Sequence, residues 1–468
     1  MAIESAPPRN ERRDQHVVLL ASPGAGHLLP VAELARLIVE HGGFTATIVT
    51  HTNFSSAEHS STFSSLPPSI SIAALPEVSL DDLPADARVE TRILTVVRRA
   101  LPHLRDLLRS LLKSPAGVAV FLSDLLSPRA LAVAAELGIP RYVFFTSNLM
   151  CLTSFLHNPE IDRTTTCEFR DLPDPVLLPG CVPLHGSDLV DPVQDRANPV
   201  YPLVIEMGID YLRADGFLVN TFDAMEHETL VAFKELSDKG VYPPAYAVGP
   251  FVRSPSGKAA NDACIRWLDD QPDGSVLDKD KTASYFSVSG DGDDSPTNYL
   301  PEGFLERTKG TGLAVPMWVP QVEILNHRAV GGFVSHCGWN STLEAVAAGV
   351  PMVAWPLYAE QRMNAVMLSS RAGLALRPSN AREDGVVTRD EVAAVAREII
   401  TGEKGAAARR KARELREAAA KATQSPGGPS REAFEAVVGG AWKKAAAAAA
   451  RGSRAGEPDD NGTAVTAQ

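Results

Sequence analysis

Between Trp318 and Gln361 the chain reads WVPQVEILNHRAVGGFVSHCGWNSTLEAVAAGVPMVAWPLYAEQ, a stretch dense in groups that could grip a phosphate and a sugar. Residues 331–335 read as a short buried strand. His336-Cys337-Gly338-Trp339-Asn340-Ser341-Thr342 then opens a helix that continues through Val346. A strand entering a Gly-containing turn and a helix start leaves several backbone N–H groups without intrahelical partners at one spot. Those amides and the positive end of the helix dipole attract phosphate. Asn340 and Ser341 suit the cap, and His336 adds another donor. Glu344 falls about one turn beyond Asn340 and places an acceptor for sugar hydroxyls on the same face. These residues alone point to a nucleotide or sugar-phosphate site.

A second chemistry lies far upstream. In open parallel sheets, ligands sit beyond the carboxyl ends of the strands. His27 follows the first apolar strand, residues 16–20, and Asp124 follows the strand at 118–123. A His held by a carboxylate is a competent general base, because the Asp fixes the tautomer and stabilises the imidazolium. The residues alone leave equal room for a helix-capping His and an unrelated surface Asp. Gly24-Ala25-Gly26 begins like a dinucleotide fingerprint but has Leu29 where the third glycine belongs, so no redox cofactor is invoked.

The elements that would position these groups alternate. Strands are expected at 16–20, 44–50, 69–74, 118–123, 141–146, 215–220 and 245–248, with helices from about Pro30, over 89–112 and over 128–137. That alternation specifies parallel sheets with right-handed crossovers. The length of 468 residues suggests two domains, and the 44% hydrophobic fraction is that of an ordinary globular protein. The net charge of −12 argues against nucleic acid as a partner. Five scattered cysteines (Cys151, Cys167, Cys181, Cys264 and Cys337) suit reduced thiols. The first residues, MAIESAPPRNERRDQ, carry no apolar leader, and the apolar run 130–150 is broken by Glu136, Pro140 and Arg141. A cytoplasmic protein without a membrane span is therefore expected.

The segment from Trp318 to Gln361 resembles the signature box of plant family 1 glycosyltransferases, enzymes that move a sugar from a UDP-sugar to a small lipophilic acceptor. The match is unbroken from Trp318 through the HCGWNS core and Glu344 to Gln361. The resemblance implies the α/β fold called GT-B, two Rossmann-like domains facing a cleft. Residues 1–250 would form the acceptor domain, 251–260 a linker, 261–450 the UDP-sugar domain and 451–468 a disordered tail. It also implies that His27 is the base and Asp124 its partner, in a direct displacement that inverts the anomeric carbon. Trp318 would stack on uracil, with Val319 and Gln321 holding the nucleoside, and Glu344 would bind the ribose. His336 and the helix-start amides at Asn340 and Ser341 would stabilise charge on the diphosphate. Glu360 and Gln361 would bind sugar hydroxyls. Trp339 would act through its backbone, with its side chain in packing. Position 360 is more often Asp in the wider family, so Glu360 lengthens the reach.

A terminal Gln at 361 implies UDP-glucose as donor substrate, with no further cofactor and no metal. Asp291-Gly292-Asp293-Asp294 has the look of a metal motif from the other glycosyltransferase fold, but no apolar strand precedes it. The stretches GAGHLLP and PLYAEQ resemble the branch of hydroquinone and monolignol glucosyltransferases, which implies a small phenolic acceptor and a monomer. Loops near Phe144, Phe145 and Asn148 would shape the acceptor pocket.

In one place the chain departs from the family pattern. After Trp267-Leu268-Asp269-Asp270-Gln271-Pro272-Asp273-Gly274-Ser275-Val276-Leu277 the polar run Asp278-Lys279-Asp280-Lys281 follows at once. A strand–helix–strand unit of about 30 residues or more is expected there and is missing. Its loss would impair the enzyme and favours, as the competing reading, a non-catalytic binding relative. An epimerase of the same architecture lacks the full box.

Overall fold

Short apolar runs between Gly- and Pro-bearing turns make parallel strands that are buried on both faces. The computed structural model describes residues 15–54, 63, 66–252, 263–279, 300–315, 319–378 and 386–444. The first seven strands are β1 (Gln15–Leu20), β2 (Phe44–His51), β3 (Ile70–Leu75), β4 (Val120–Asp124), β5 (Arg141–Phe145), β6 (Gly216–Val219) and β7 (Ala245–Ala247). They form one sheet in the order β3-β2-β1-β4-β5-β6-β7, with every pairing parallel. Alternation along β1 sends Val18 and Leu20 into one apolar cluster and Val17 and Leu19 into another, so helices cover both faces. The strand order reverses between β1 and β4, and their carboxyl ends flank a crevice of the kind that binds ligands.

Helix α1 (Ala25–Gly42) follows β1, and α2 (Val89–Leu112) has the bounds expected from its sequence. Ile93, Val97, Ala100, Leu104 and Leu108 give α2 its buried stripe at helical spacing. The crossover helices α3 (Leu149–Thr164) and α4 (Asp223–Asp238) follow β5 and β6. The second sheet comprises β8 (Val276–Lys279), β9 (Val330–Ser335), β10 (Met352–Ala354) and β11 (Ala375–Leu376), in the order β11-β10-β9-β8, again parallel. Gly331 packs so closely on the turn at Gly274 that an added Cβ would meet its carbonyl oxygen at 2.0 Å. Among the described residues β8 is an edge strand.

The last described helices cross back. Phe434, Val437, Val438 and Trp442 join the core of the first sheet, with Trp442 against Phe44 and Tyr142. The segment expected as the second unit, 261–450, thus also completes the first. Most of the expected linker, the tail 451–468, the Asp291–Asp294 run and Trp318 lie outside the described residues. None of the five cysteines forms a disulfide. Among the described residues no helix is long and apolar enough to cross a membrane.

One core residue carries a pH dependence. His51 ends β2, is buried, and neither ring nitrogen has a hydrogen-bond partner among the described residues. Burial pushes its pKa down to about 4 from the ordinary value of 6.5. Between those values the unfolded chain takes up a proton that the folded protein refuses, so stability present above the upper value is lost as pH falls. The full term is about 3 kcal/mol. Denaturant titrations across that window should give a flatter pH dependence for His51→Leu than for the wild type. Equal slopes would dismiss His51 as the source.

Candidate active site

The base side is built at the carboxyl end of β1. The chain leaves Leu20 through Ser22, Pro23 and Gly24, which at φ 111° takes a conformation side chains rarely adopt, and enters α1 at Ala25. The helix therefore begins before Pro30, not at it, and His27 lies in its first turn. Residues 25–29, expected to precede the helix, join it because Gly24 absorbs the change of direction. Pro30 has no N–H to return to Gly26, four residues back, so the Gly26 carbonyl lacks that helical donor. Asn340 Nδ2, from the other half of the molecule, donates to it at 2.8 Å.

His27 Nδ1 lies 2.7 Å from Asp124 Oδ2, with the carboxylate fully buried and the imidazole partly exposed. Thr146 Oγ1 donates to Asp124 Oδ1 at 3.0 Å and stands 3.4 Å from His27 Nδ1. Burial lowers the His27 pKa, but the Asp124 carboxylate and the field of Glu360 outweigh it, so the net direction is upward. Burial likewise raises Asp124, and His27 with the Ser22 hydroxyl brings it below its ordinary value. With Nδ1 turned to Asp124, Nε2 is the nitrogen left to take a substrate proton.

The other side of the cleft is the turn between β9 and α5 (Trp339–Ala348). Cys337 sits at φ 67°, and Gly338 is the N-cap, without a side-chain cap bond. An added Cβ at Gly338 would meet His336 Nε2 at 2.3 Å, so the ring lies directly over this glycine. The expected capping role of Asn340 and Ser341 is thereby corrected. Both fall inside the first turn, where Asn340 reaches across to Gly26. Ser341 instead joins Gln321 and Glu344: Gln321 Nε2 donates to Ser341 Oγ at 3.3 Å and to Glu344 Oε2 at 2.6 Å. Val319 is half-buried beside the same core.

Trp339 is buried, and its Nε1–H donates to the Asn220 carbonyl at 2.6 Å. Its side chain is a strut between the two halves, in keeping with the packing role expected. Trp339→Phe should leave that buried carbonyl short of a partner at a cost of about 1–3 kcal/mol. Thermal unfolding should then begin about 2–8 °C lower. UDP titration calorimetry should still show binding, since the residue-339 amide is kept. Lost binding with an unchanged melting temperature would reverse the assignment.

Glu360 caps α6 (Gln361–Ser370), and its Oε1 accepts from Ser147 Oγ at 3.2 Å and from Asn364 Nδ2 at 3.5 Å. Gln361 is buried, and its Oε1 accepts the Leu357 and Tyr358 amides at 2.9 and 3.0 Å. That amide oxygen shapes its own loop rather than lying open for a sugar. Asp191 gives its N–H to the Ala359 carbonyl and pairs through its carboxylate with Arg362.

The structure thus brings His27, Asp124, Asn340 and Glu360 to one cleft and Gln321, Ser341 and Glu344 to its flank. The residues missed from sequence are Thr146 and Ser147, which bind Asp124 and Glu360, while Asn148, expected near an acceptor loop, binds Asn364. They follow β5, at the same kind of strand end that singled out His27 and Asp124. Phe144 and Phe145, expected near an acceptor loop, are core residues of β5, and Asn148 is wholly buried. Among the described residues no cluster of potential metal ligands occurs.

Residues 301–404 match the family described as UDP-glucoronosyl and UDP-glucosyl transferase. The chain is 40% identical over 459 residues to hydroquinone glucosyltransferase of Rauvolfia serpentina, covering 90% of this chain and 96% of that one. It is 42% identical over 453 residues to UDP-glycosyltransferase 72B3 of Arabidopsis thaliana, covering 88% and 93%. Both aligned lengths exceed the share of this chain that takes part, so the relatives hold positions without a counterpart here. Among solved structures, a Polygonum tinctorium UDP-glucosyltransferase capable of glucosylating indoxyl superposes with a TM-score of 0.84 at 41% identity, over 92% of this chain and 99% of that one. Phytolacca americana UGT2, complexed with UDP-2fluoro-glucose and pterostilbene, gives 0.83 at 38% identity over the same shares.

Proposed function

The chain belongs to the plant family 1 UDP-glycosyltransferases, and from that premise we propose that it transfers glucose from UDP-glucose to a hydroxyl of a small phenolic acceptor. The observation that carries this is the placement of one imidazole. His27 is fixed by Asp124 at 2.7 Å, while the helix mouth and Glu360 meet it from the opposite half. An acceptor hydroxyl at His27 Nε2 would lose its proton as its oxygen attacks the anomeric carbon. The UDP oxygen leaves from the opposite face, so the configuration inverts. Amides at the start of α5, with His336, Asn340 and Ser341, would take up the charge growing on the diphosphate.

Glu344, hydrogen-bonded to Gln321, is assigned to the ribose, with Trp318 and Val319 at the base. Glu360 and Gln361 are assigned to the glucose, Glu360 through the carboxylate oxygen that Ser147 leaves open. Gln361 would act through its side-chain NH2, since its oxygen is held by the Leu357 and Tyr358 amides. Lack of the strand–helix–strand unit expected after Leu277, which the sequence suggests, would weaken donor grip within this reading, since the unit's turn would also meet the diphosphate. The relatives, all named for transfer, do not favour the non-catalytic alternative. Incubating the purified chain with labelled UDP-glucose and hydroquinone, then weighing the product, tests the proposal. A glucoside supports it; nucleotide binding with no glucoside at any enzyme concentration refutes it.

A further inference from the structure

Glu226 is a carboxylate that the transfer chemistry leaves unused. It is 1% exposed and lies in the first turns of α4, where it departs from helical geometry at φ −139° and ψ 36°. Its Oε2 accepts the Leu149 N–H at 3.0 Å and its Oε1 the Met150 N–H at 2.8 Å. These are the first two amides of α3, and Asn148 Oδ1 takes the next, from Cys151, at 2.8 Å. A helix N-terminus leaves such donors open and carries partial positive charge, so an anion there is doubly satisfied. Burial raises the Glu226 pKa, and the Thr221 hydroxyl and the two amides oppose that rise.

What this anchor holds is the tripeptide immediately before α3. Thr146 bonds Asp124 and approaches His27, Ser147 bonds Glu360, and Asn148 Nδ2 donates to Asn364 Oδ1 at 2.6 Å. Asn364 in turn donates to the Cys337 carbonyl at 2.9 Å, in the turn that opens the helix mouth. Three consecutive side chains therefore tie the base pair to the sugar-side carboxylate and to the diphosphate turn. Their register along the chain is set where α3 begins.

We propose that Glu226 is a positioning residue for glucosyl transfer, gripping the Leu149 and Met150 amides so that Thr146, Ser147 and Asn148 align the His27–Asp124 pair with Glu360. The inference rests on the transferase reading. Glu226→Gln keeps one acceptor but turns an NH2 group toward a backbone N–H, which shifts the start of α3 without emptying the site. Displacements of about 1 Å in reacting groups cost about 100-fold in rate. A kcat about 10- to 100-fold lower, with KM for UDP-glucose within about threefold, is therefore expected.

Full-length wild type, Glu226→Gln and Ser147→Ala would be compared for kcat, KM, melting temperature and the NMR titration of the His27 ring. Support requires a fall in kcat together with a moved His27 titration in Glu226→Gln, while unfolding stays cooperative. The Glu226→Gln and Ser147→Ala losses should also combine less than additively, because both act on the same tripeptide. A folded Glu226→Gln with wild-type kcat and an unmoved His27 titration overturns the inference, as does a loss confined to melting temperature. If Glu226→Gln does not fold, the His27 titration in Ser147→Ala decides, and an unmoved ring overturns it. A wild-type chain that transfers no glucose sinks the function assigned above, yet the His27 titrations still judge the role of Glu226.

Discussion

His27→Ala is expected to lower kcat for phenol glucosylation by about 100- to 10,000-fold, the range that a positioned general base contributes. A phenolic hydroxyl loses its proton only near pH 10, as a tyrosine does, so at neutral pH the attacking oxygen needs an acceptor for that proton. His27 is the acceptor proposed above, because Asp124, buried at 2.7 Å, holds Nδ1 and leaves Nε2 basic. Alanine removes the acceptor and keeps the backbone of the first turn of α1, so KM for UDP-glucose should change far less than kcat. The raised His27 pKa fixes the sign of the pH effect. The neutral imidazole is the active form, so activity should fall as pH drops through a midpoint above 6.5. That acid limb should vanish in the alanine variant. Stopped assays from pH 5 to 9 with product masses measure both effects. An alanine enzyme as fast as the wild type, or an acid limb that survives the substitution, would remove His27 from the chemistry.

Why His27 and Asp124 could be picked from sequence while their supports could not is a matter of distance along the chain. A His after the first strand and an Asp after the fourth are visible because strand ends are visible: β1, β2 and α2 follow local apolar spacing that no distant contact overrides. The box from 331 to 346 is equally local, a strand, a glycine turn and a helix within 16 residues. Even there the cap was misread, because Asn340 faces a carbonyl vacated by Pro30, more than 300 residues away. Ser147 and Asn148 find Glu360 and Asn364 at separations of 213 and 216 residues. Glu226 finds the start of α3 from 77 residues on. No periodicity encodes such pairs; the closing of the two sheets on one cleft makes the first two, and the packing of neighbouring crossover helices on the first sheet makes the third. The return of Trp442 to the first sheet escaped notice for the same reason, since an Ala-rich C-terminal helix looks alike whichever sheet it covers.

Inserting the strand–helix–strand unit that the sequence pattern implies between Leu277 and the polar run that follows is expected to raise both stability and donor use. β8 has four residues, of which Val276, Leu277 and Asp278 are half-buried and Lys279 is exposed, a poor burial for a strand of a doubly wound sheet. Beyond it the apolar cluster on that face is small, with Val353, Ile399 and Ala408 as its buried members and Leu277 packed at its side. A strand added at the edge that β8 presents among the described residues would supply a few backbone hydrogen bonds at about 0.5–1.5 kcal/mol each and cover Leu277. A gain of about 2–4 kcal/mol should lift the melting temperature by about 5 °C or more. The inserted turn would also bring amides to the diphosphate, where a single preorganised donor is worth about 100-fold or more in rate. The kcat/KM for UDP-glucose should therefore rise at least tenfold, on the order of one such donor, with KM for the phenol nearly unchanged. The segment can be taken from an aligned relative, since those chains carry positions this one lacks. An insert that leaves the melting temperature and the donor kinetics where they were would mean that β8 is a natural edge and that the helix mouth at Gly338 holds the diphosphate unaided.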